Sequence, residues 1–528
     1  MQIQAPSSGR NRYDREQTGP FQVGSDKRFP RAPSLIASYF KKVVVVLAAA
    51  SLTLASLAPA AEINLPDLGS PADAVLSKND EAQLGRAIMR QIRASGQLVE
   101  DPQITEYVND IGHRIAAQSN YDANHEFTFF VVDDPTINAF ALPGGFIGVH
   151  TGLLDATRNE DELAGVLAHE VAHVTQRHIA RAIHAGQRRS IMSTAMMLGV
   201  LLASVAGGLD SQGMQGAIAI TQGTAAQGQI NFTRSNEHEA DRVGMSALAA
   251  SGFDPQGMAS FFEVISRNTA PTQSRIPAFL QTHPVSSARI AETRSRARDY
   301  PPVHSTDSVS YGIAKVRLEV ADQRTAEEAV EFYERERYEF QSDVERYGRA
   351  LAYMLDGRYL EANRIFEELA NREPEVIAYH IGLADSQLEL ESIDESIESF
   401  ERARKLFPRN MPLIIHYAEA LLKLGQAERA HEILLDLLNN APPTPQQVRL
   451  IARAAIEAGE NAEANYYMAE YRFMIGDLVG GVNFLRRALK DPEIEEIQRI
   501  RFEARIDFVR DFMSEEQLQQ MQMSRSIG

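Results

Sequence analysis

Residues 159–178 read NEDELAGVLAHEVAHVTQRH, and within them stands His169-Glu170-Val171-Ala172-His173. On a helix, positions four apart share a face, so the two imidazoles can aim at one metal ion. Glu170 sits beside them, where a carboxylate reaches a water held by that metal. This HExxH arrangement is the one in which zinc and a Glu make water nucleophilic near neutral pH. The surrounding residues favour a helix. Asn159 with Glu162 spells a capping box, Glu160, Asp161 and Glu162 meet the positive end of the helix dipole, and Leu163, Val166, Leu167, Val171 and Val174 offer a face to bury. The motif calls for a third ligand elsewhere in the chain.

With 528 residues, 44% of them hydrophobic, the chain has material for two or three domains with real cores. Cysteine is absent, which excludes disulfides, thiolate zinc sites and a lipid anchor on Cys, so any metal must be held by His, Asp or Glu. The formal charge is −18, and the basic residues gather at the start. Arg10, Arg12, Arg15, Lys27, Arg28, Arg31, Lys41 and Lys42 face only Asp14, Glu16 and Asp26 within residues 1–60, so the remainder is more acidic still. That balance argues against nucleic acid as a partner.

Lys41-Lys42, the apolar run 43–57 and the Ala58-Pro59-Ala60-Ala61 end read as a polar leader and secretory signal with cleavage near Ala60 or Ala61. The alternative is an uncleaved membrane anchor, although the run is shorter than the ~20 residues a span needs. Two helices follow, over 80–94 and 102–117, with apolar spacing at Leu84, Ile88 and Ile92 and at Ile104, Val108, Ile111 and Ile115. Residues 127–132 and 146–149 are β-rich and are joined through Asn138-Ala139-Phe140-Ala141-Leu142-Pro143-Gly144-Gly145. A strand beside the metal can pair with a peptide backbone without reading its side chains. The expected edge strand is 145–149, which makes Asn138, Ala139, Gly145, Ile147 and Val149 the candidate substrate-binding residues; an ordinary hairpin is the alternative. Residues 191–209 are apolar but rich in Ala, Gly and Ser, and 207–229 form a Gly, Gln and Ala loop. The expectation there is a buried or membrane-touching helix with a mobile flap rather than a span.

Glu237-His238-Glu239-Ala240-Asp241 comes next, with Asn236 and Glu239 spelling a second capping box at the start of a helix that Gly252 ends before Asp254-Pro255 opens another. Glu237 and Asp241 are four apart and share a face. Glu237 can supply the third zinc ligand, and Asp241 can accept the N–H of a ligating His and fix its tautomer. His178, His184 and His238 read as structural.

Beyond Pro301-Pro302 and a Ser/Thr/Asp stretch, the chain turns helical and periodic. Pro374, Pro408 and Pro442 are spaced at 34 residues, the length of a tetratricopeptide repeat. Gly357 and Gly425 hold the turn position, and Tyr353, Ala362, Phe366, Ala384, Phe400, Ala403, Ala418 and Ala430 fall where helices interlock. Gly459 and Gly476 continue the hairpins, for about four units in all; Glu391 stands at a turn where Gly is usual. Such an array presents a groove to a peptide or partner protein, or else serves as a rigid spacer or dimer surface.

HExxH, the ExxxD pair, the stretches NAFALPGG and TGLL, Thr282-His283-Pro284 and Arg289-Ile290 together resemble the zinc metallopeptidases that include the CAAX prenyl protease and the HtpX heat-shock protease. With repeats behind the protease, the chain looks like the exported branch of that family that serves outer-membrane β-barrel assembly. The resemblance implies one Zn2+ per chain on His169, His173 and Glu237, Glu170 as catalytic base and Asp241 as a carboxylate supporting a ligating His. It brings in His283, which precedes Pro284 outside a helix and can swing toward the zinc, to stabilise the oxyanion or to take the water's place and hold the enzyme off. Arg289 then either stabilises developing charge or pairs with a carboxylate.

The expected fold is mainly α. A polar leader and signal (1–61) and a mature N-terminal segment (62–76) lead into an α+β zincin-type metalloprotease domain with a small β-sheet (77–300). A linker (301–325) and an all-α tetratricopeptide-repeat solenoid (326–528) complete it. The expected function is a periplasmic zinc endopeptidase, and the resemblance implies unfolded or misassembled outer-membrane proteins as substrates and the β-barrel assembly machinery as partner. The alternatives are a chaperone or adaptor with a mostly closed zinc site, and an integral membrane metalloprotease.

Overall fold

The computed structural model describes residues 76–119, 126–187, 224–267, 277–303, 305–335, 342–438, 443–513, 515 and 517–521. The expected leader and signal, the mature segment before residue 76, the apolar run 191–209, the flap up to residue 223 and Pro442 lie outside the described residues.

Helix α1, Lys78–Ser95, opens on a reciprocal Ser77/Asp80 capping box and ends at Gly96 in the left-handed region (φ 71°). Helix α2, Pro102–Ala116, starts where the Asp101 carboxylate accepts the N–H groups of Gln103 and Ile104. Three strands follow, β1 Thr128–Val132, β2 Ala139–Leu142 and β3 Phe146–His150, in the order β1-β3-β2. β3 pairs parallel with β1 and antiparallel with β2. The β2–β3 turn is suited to Gly144 and Gly145, whose φ values of 79° and 87° disfavour ordinary side chains. Two sequence expectations change here. Residues 139–142, read as a connection, are a strand, and 145–149 cannot be an edge, because β3 is paired on both sides; β2 is the outer strand next to it.

Because successive strand residues point to opposite faces, the sheet divides two cores. Phe129, Val131, Ile147 and Val149 join the main core, whereas Phe130, Val132, Phe140 and Leu142 pack with Ile88, Met89 and Ile92 of α1. After α3, Thr151–Ala156, comes α4, Glu160–Thr175, whose Leu163, Val166, Leu167 and Val171 are at most 1% exposed at the centre of the main core. The Asn159 side chain accepts Glu162 N–H as expected, but the Glu162 carboxylate turns back to the Arg158 N–H and guanidinium, so only half of a capping box forms. The protease half is completed by α5 His178–Gln187, α6 Thr224–Ala250, α7 Gln256–Arg267, α8 Ala278–Thr282 and α9 Ser287–Ala297. α6 runs unbroken through Asn236, so the second capping box does not form, and residues 224–229 are helix rather than loop.

Residues 301–325, expected as a linker, contain helix α10, Val309–Ala321. Its Tyr311 and Ala314 enter the protease core, and Ile313, Val316 and Val320 enter the first repeat core, so it welds the halves together. After α11, Ala326–Glu334, come five helical hairpins: α12 Asp343–Leu355 with α13 Tyr359–Arg372, α14 Ile377–Glu389 with α15 Ile393–Leu406, α16 Met411–Lys423 with α17 Ala427–Leu437, α18 Pro445–Glu457 with α19 Asn461–Met474, and α20 Leu478–Ala488 with α21 Glu496–Arg510. Gly357, Gly425 and Gly459 turn three of these hairpins at positive φ, Glu391 turns a fourth in the same conformation (φ 59°), and Gly476, also at positive φ, joins α19 to α20. All eight interlocking residues read from the repeat pattern are buried.

The repeats close back on the protease half. Arg317 donates to Asp101 (2.6 and 2.8 Å) and to the Tyr347 hydroxyl (2.7 Å), Asn410 donates to Glu106 (2.9 and 3.0 Å), and Gln446 donates to Glu100 (2.7 Å). Part of the array's surface is thus taken by the chain's own α2 and the residues leading into it. Among the described residues, no helix is long and apolar enough to cross a membrane.

Candidate metal centre

On α4, His169 and His173 stand one turn apart with ring centroids 4.7 Å from each other. α6 brings Glu237 and Asp241, also one turn apart, against them. His283 follows α8, its N–H donating to Phe279 O (2.7 Å) and its ring resting 4.7 Å from that of Phe279. α8 is itself tied to the entry of β2 by Phe279 N–H to Ile137 O (3.1 Å), directly before Asn138 and Ala139.

His169, His173, Glu237 and His283 each offer one donor atom, and the four lie within 4.8 Å of one another. His169 Nε2 is 3.0 Å from His173 Nε2, 3.3 Å from His283 Nδ1 and 3.4 Å from Glu237 Oε2. Glu237 Oε1 is 3.5 Å from His173 Nε2, and Oε2 is 3.1 Å from His283 Nδ1. Ring nitrogens converging on one point cannot all be satisfied by protons, but a small cation satisfies their lone pairs together. A tetrahedral zinc with bonds of ~2.0–2.1 Å holds its ligand atoms roughly 3.3 Å apart, close to the spacings here. The donor set therefore fits a divalent metal. The Glu170 carboxylate is fully buried, and neither oxygen has a hydrogen-bond partner among the described residues; His283 Nε2 lies 3.5 Å from Oε1.

Around this cluster the charges are matched. Arg289, 2% exposed, donates to both oxygens of Asp241 (2.6 and 2.7 Å) and to Pro284 O (3.2 Å), pairs with Glu237 (2.9 Å) and lies over the Phe262 ring. The carboxylate pairing expected of it is formed in the structure. Asp241 Oδ1 also lies 3.0 Å from His169 Nδ1, off the direction of a good hydrogen bond. Burial disfavours charge on every group here, yet the carboxylates of Asp241 and Glu237 outweigh it at His169, which is pushed up to about 9. Burial, reinforced by the neighbouring rings of His169, His283 and His178, holds His173 well below the usual imidazole range, while His283 and His169 hold Glu237 well below the usual carboxylate range against burial.

His178, read as structural from the sequence, sits at this site. Its Nδ1 is 3.0 Å from His173 Nδ1 and its Nε2 is 3.4 Å from Glu239 Oε2. The signal was present in the spacing, since His178 follows His173 by five residues, but only the turn between α4 and α5 folds it back. Of the candidate substrate residues, Asn138 and Ala139 lie at the start of the outer strand β2, with Asn138 buried and its Oδ1 unpartnered among the described residues. Gly145, Ile147 and Val149 lie in the β2–β3 turn and the central strand, where the backbone of Ile147 and Val149 is engaged on both sides. His184 and His238 are not part of the cluster.

The profile of Peptidase family M48 matches residues 102–297, and that of the tetratricopeptide repeat matches 387–454. The chain is 33% identical over 471 residues to the putative beta-barrel assembly-enhancing protease of Vibrio cholerae, covering 88% of this chain and 96% of that one. It is 33% identical over 489 residues to the beta-barrel assembly-enhancing protease of Escherichia coli K12, covering 89% and 96%. The mitochondrial metalloendopeptidase OMA1 of Schizosaccharomyces pombe matches at 34% identity over 186 residues, 35% of this chain and 51% of that one. A likeness that runs over nearly the full length of the bacterial relatives means that the chain belongs to the β-barrel assembly-enhancing proteases, metalloproteases of peptidase family M48 with tetratricopeptide repeats behind the protease domain.

Proposed function

We propose that the chain is an exported, periplasmic zinc endopeptidase that acts on unfolded or misassembled outer-membrane proteins, with its repeats recruiting substrate or the β-barrel assembly machinery. The observation that carries this is the four-donor cluster with, at its edge, the buried Glu170 carboxylate, which has no hydrogen-bond partner among the described residues. The basic-then-apolar start of the chain supports export, and the bacterial relatives' names support the substrate class.

His169, His173 and Glu237 would hold the zinc, with His283 able to serve as a fourth donor. When bound, zinc supplies Lewis acidity to the scissile carbonyl and lowers the pKa of water. Glu170 takes the proton from the attacking water and delivers it to the leaving amine; its carboxylate has no hydrogen-bond partner among the described residues and can accept that proton. Asp241 and Arg289 hold His169 and Glu237 in place. The outer strand β2, beginning at Asn138 and Ala139, offers backbone groups to an extended substrate, which needs no particular side chains. Misassembled β-barrel segments are extended chains of that kind.

A structural zinc site is closed by four protein ligands, whereas a catalytic one keeps a position open. His283 lies among the other three donors, which favours a resting state held closed by this residue and opened when it swings away before Pro284. That combines the protease with a quieter, chaperone-like resting form.

The test compares the purified mature chain with Glu170→Gln and His283→Ala for zinc content and for degradation of an unfolded outer-membrane β-barrel protein. Wild type and Glu170→Gln should each hold one zinc, with cleavage down by about 10²-fold or more in the variant, and His283→Ala should cleave faster than wild type. Absence of zinc from the wild type, or equal cleavage by Glu170→Gln, would overturn the reading. Slower cleavage by His283→Ala would instead remove the closed resting state alone.

A further inference from the structure

We propose that His178 and Glu239 form an orienting relay for the metal ligand His173, His178 acting as a positioning residue that fixes which ring nitrogen of His173 faces the metal. The inference rests on the zinc reading above.

His173 presents Nε2 to the cluster, 3.0 Å from His169 Nε2 and 3.5 Å from Glu237 Oε1. If that nitrogen gives its lone pair to a metal, the proton of the neutral ring must sit on Nδ1. Nδ1 faces His178 Nδ1 at 3.0 Å, so His178 must accept there and carry its own proton on Nε2. That Nε2 faces Glu239 Oε2 at 3.4 Å, and Arg181 Nη1 donates to the same oxygen at 2.8 Å. Each group in the chain then has a single role: His173 donates to His178, His178 donates to Glu239, and Arg181 holds Glu239. The rings of His173 and His178 meet edge to face with centroids 4.8 Å apart, and His178 is 4% exposed, so water does not compete for its acceptor.

The backbone is shaped to make this contact. α4 ends at Thr175, and Arg177 adopts φ 52°, a left-handed conformation that disfavours a side chain. Among the described residues only one other non-glycine does so. Arg177 is held there by Nε donating to Glu81 (3.0 Å) and Nη2 donating to Leu76 O (2.8 Å). The turn it makes starts α5 at His178 and folds that residue back against the ligand five positions earlier. Glu239 comes from α6, two residues from the ligand Glu237 and two from Asp241, the carboxylate beside His169. One helix thus supplies a ligand and the acidic ends of both supports, a direct carboxylate for His169 and an imidazole-carboxylate pair for His173.

The test measures zinc affinity of the metal-stripped full chain by competition with a chelating dye, together with the thermal midpoint of the metal-free protein. His178→Ala removes the acceptor, His178→Phe removes it while keeping ring volume, and His178→Asn restores an acceptor oxygen near the position of Nδ1. The relay predicts a loss of about 10–100-fold in zinc affinity for Ala and Phe, recovery toward wild type for Asn, and a smaller loss for Glu239→Ala. A merely structural His178 would shift the metal-free midpoint and leave affinity unchanged. If the wild type binds zinc and the Phe variant matches it within about twofold, or if Asn is as weak as Phe, the relay is wrong and the zinc reading stands. If the wild type binds no zinc, both fall.

Discussion

Arg289 shows most clearly how one side chain makes the centre tenable. It neutralises two carboxylates, Asp241 and Glu237, that are each 4% exposed, and it does so while itself 2% exposed. Burial alone would lower its pKa, but Asp241 and then Glu237 raise it, so the cation persists. Removing one partner from a buried ion network leaves uncompensated charge, which costs about 3–5 kcal/mol. Arg289→Ala should therefore lower stability by roughly that amount in denaturant unfolding and weaken zinc binding. Arg289→Lys should recover only part, because an ammonium cannot face both Asp241 oxygens side by side. Unchanged unfolding and zinc binding in the Ala variant would contradict this. The HExxH pair was legible because a helix makes residues four apart neighbours; Arg289 lies 48 positions beyond Asp241, and nothing local chooses between its two expected roles.

Helix α6 can bring Glu237 to α4 only because the two backbones nearly touch. A Cβ on Gly244 would lie 2.6 Å from Ala168 O and 3.1 Å from His169 N, at the turn that carries His169. Gly244 is seven residues after Glu237, two turns along the same face. Gly244→Ala should push the helices apart, with a stability loss of about 1–3 kcal/mol from overpacking and a fall in zinc affinity. Calorimetry of the metal-free and zinc-loaded forms measures both; a loss of stability with affinity intact would mean that the close approach serves packing alone. A glycine inside a helical pattern is a readable sign of close contact, although its partner is not. β3 shows the reverse case. Its apolar run identifies a strand, but edge or centre depends on which strands flank it, and the parallel partner β1 lies 18 residues earlier in register.

The seam between protease and repeats holds a pH-sensitive contact. Glu106 on α2 is pushed up to about 7, mainly by burial and further by Asp110, against the opposing N–H bonds from Asn410. Its folded value exceeds its ordinary value of 4.5, so folding penalises the ionised form. The penalty is absent below the ordinary value, grows as pH rises toward about 7, and is constant above it. Glu106→Gln, which mimics the protonated side chain, should raise the thermal midpoint at about pH 8 by the equivalent of roughly 1–2 kcal/mol and change it little at about pH 5. Thermal unfolding of both forms at the two pH values checks this; equal effects at both would rule it out. The acidic balance of the chain as a whole, by contrast, is a matter of composition and needs no fold to be read.

What the sequence by itself determined is the set of features written in short-range geometry. The HExxH helix, the acidic pair one turn apart, the mainly α class and the repeat hairpins with their glycine turns all follow from helical spacing, capping and backbone preference within a few residues. Only the tertiary structure decided that β3 is central, that α10 is a buried weld rather than a linker, that α6 runs through Asn236, and that His178 stands behind His173. These depend on what packs alongside an element, and the left-handed turn at Arg177 is held by residues 96 and 101 positions earlier. Packing contacts of that range carry no local signature, so they had to be seen in the folded chain.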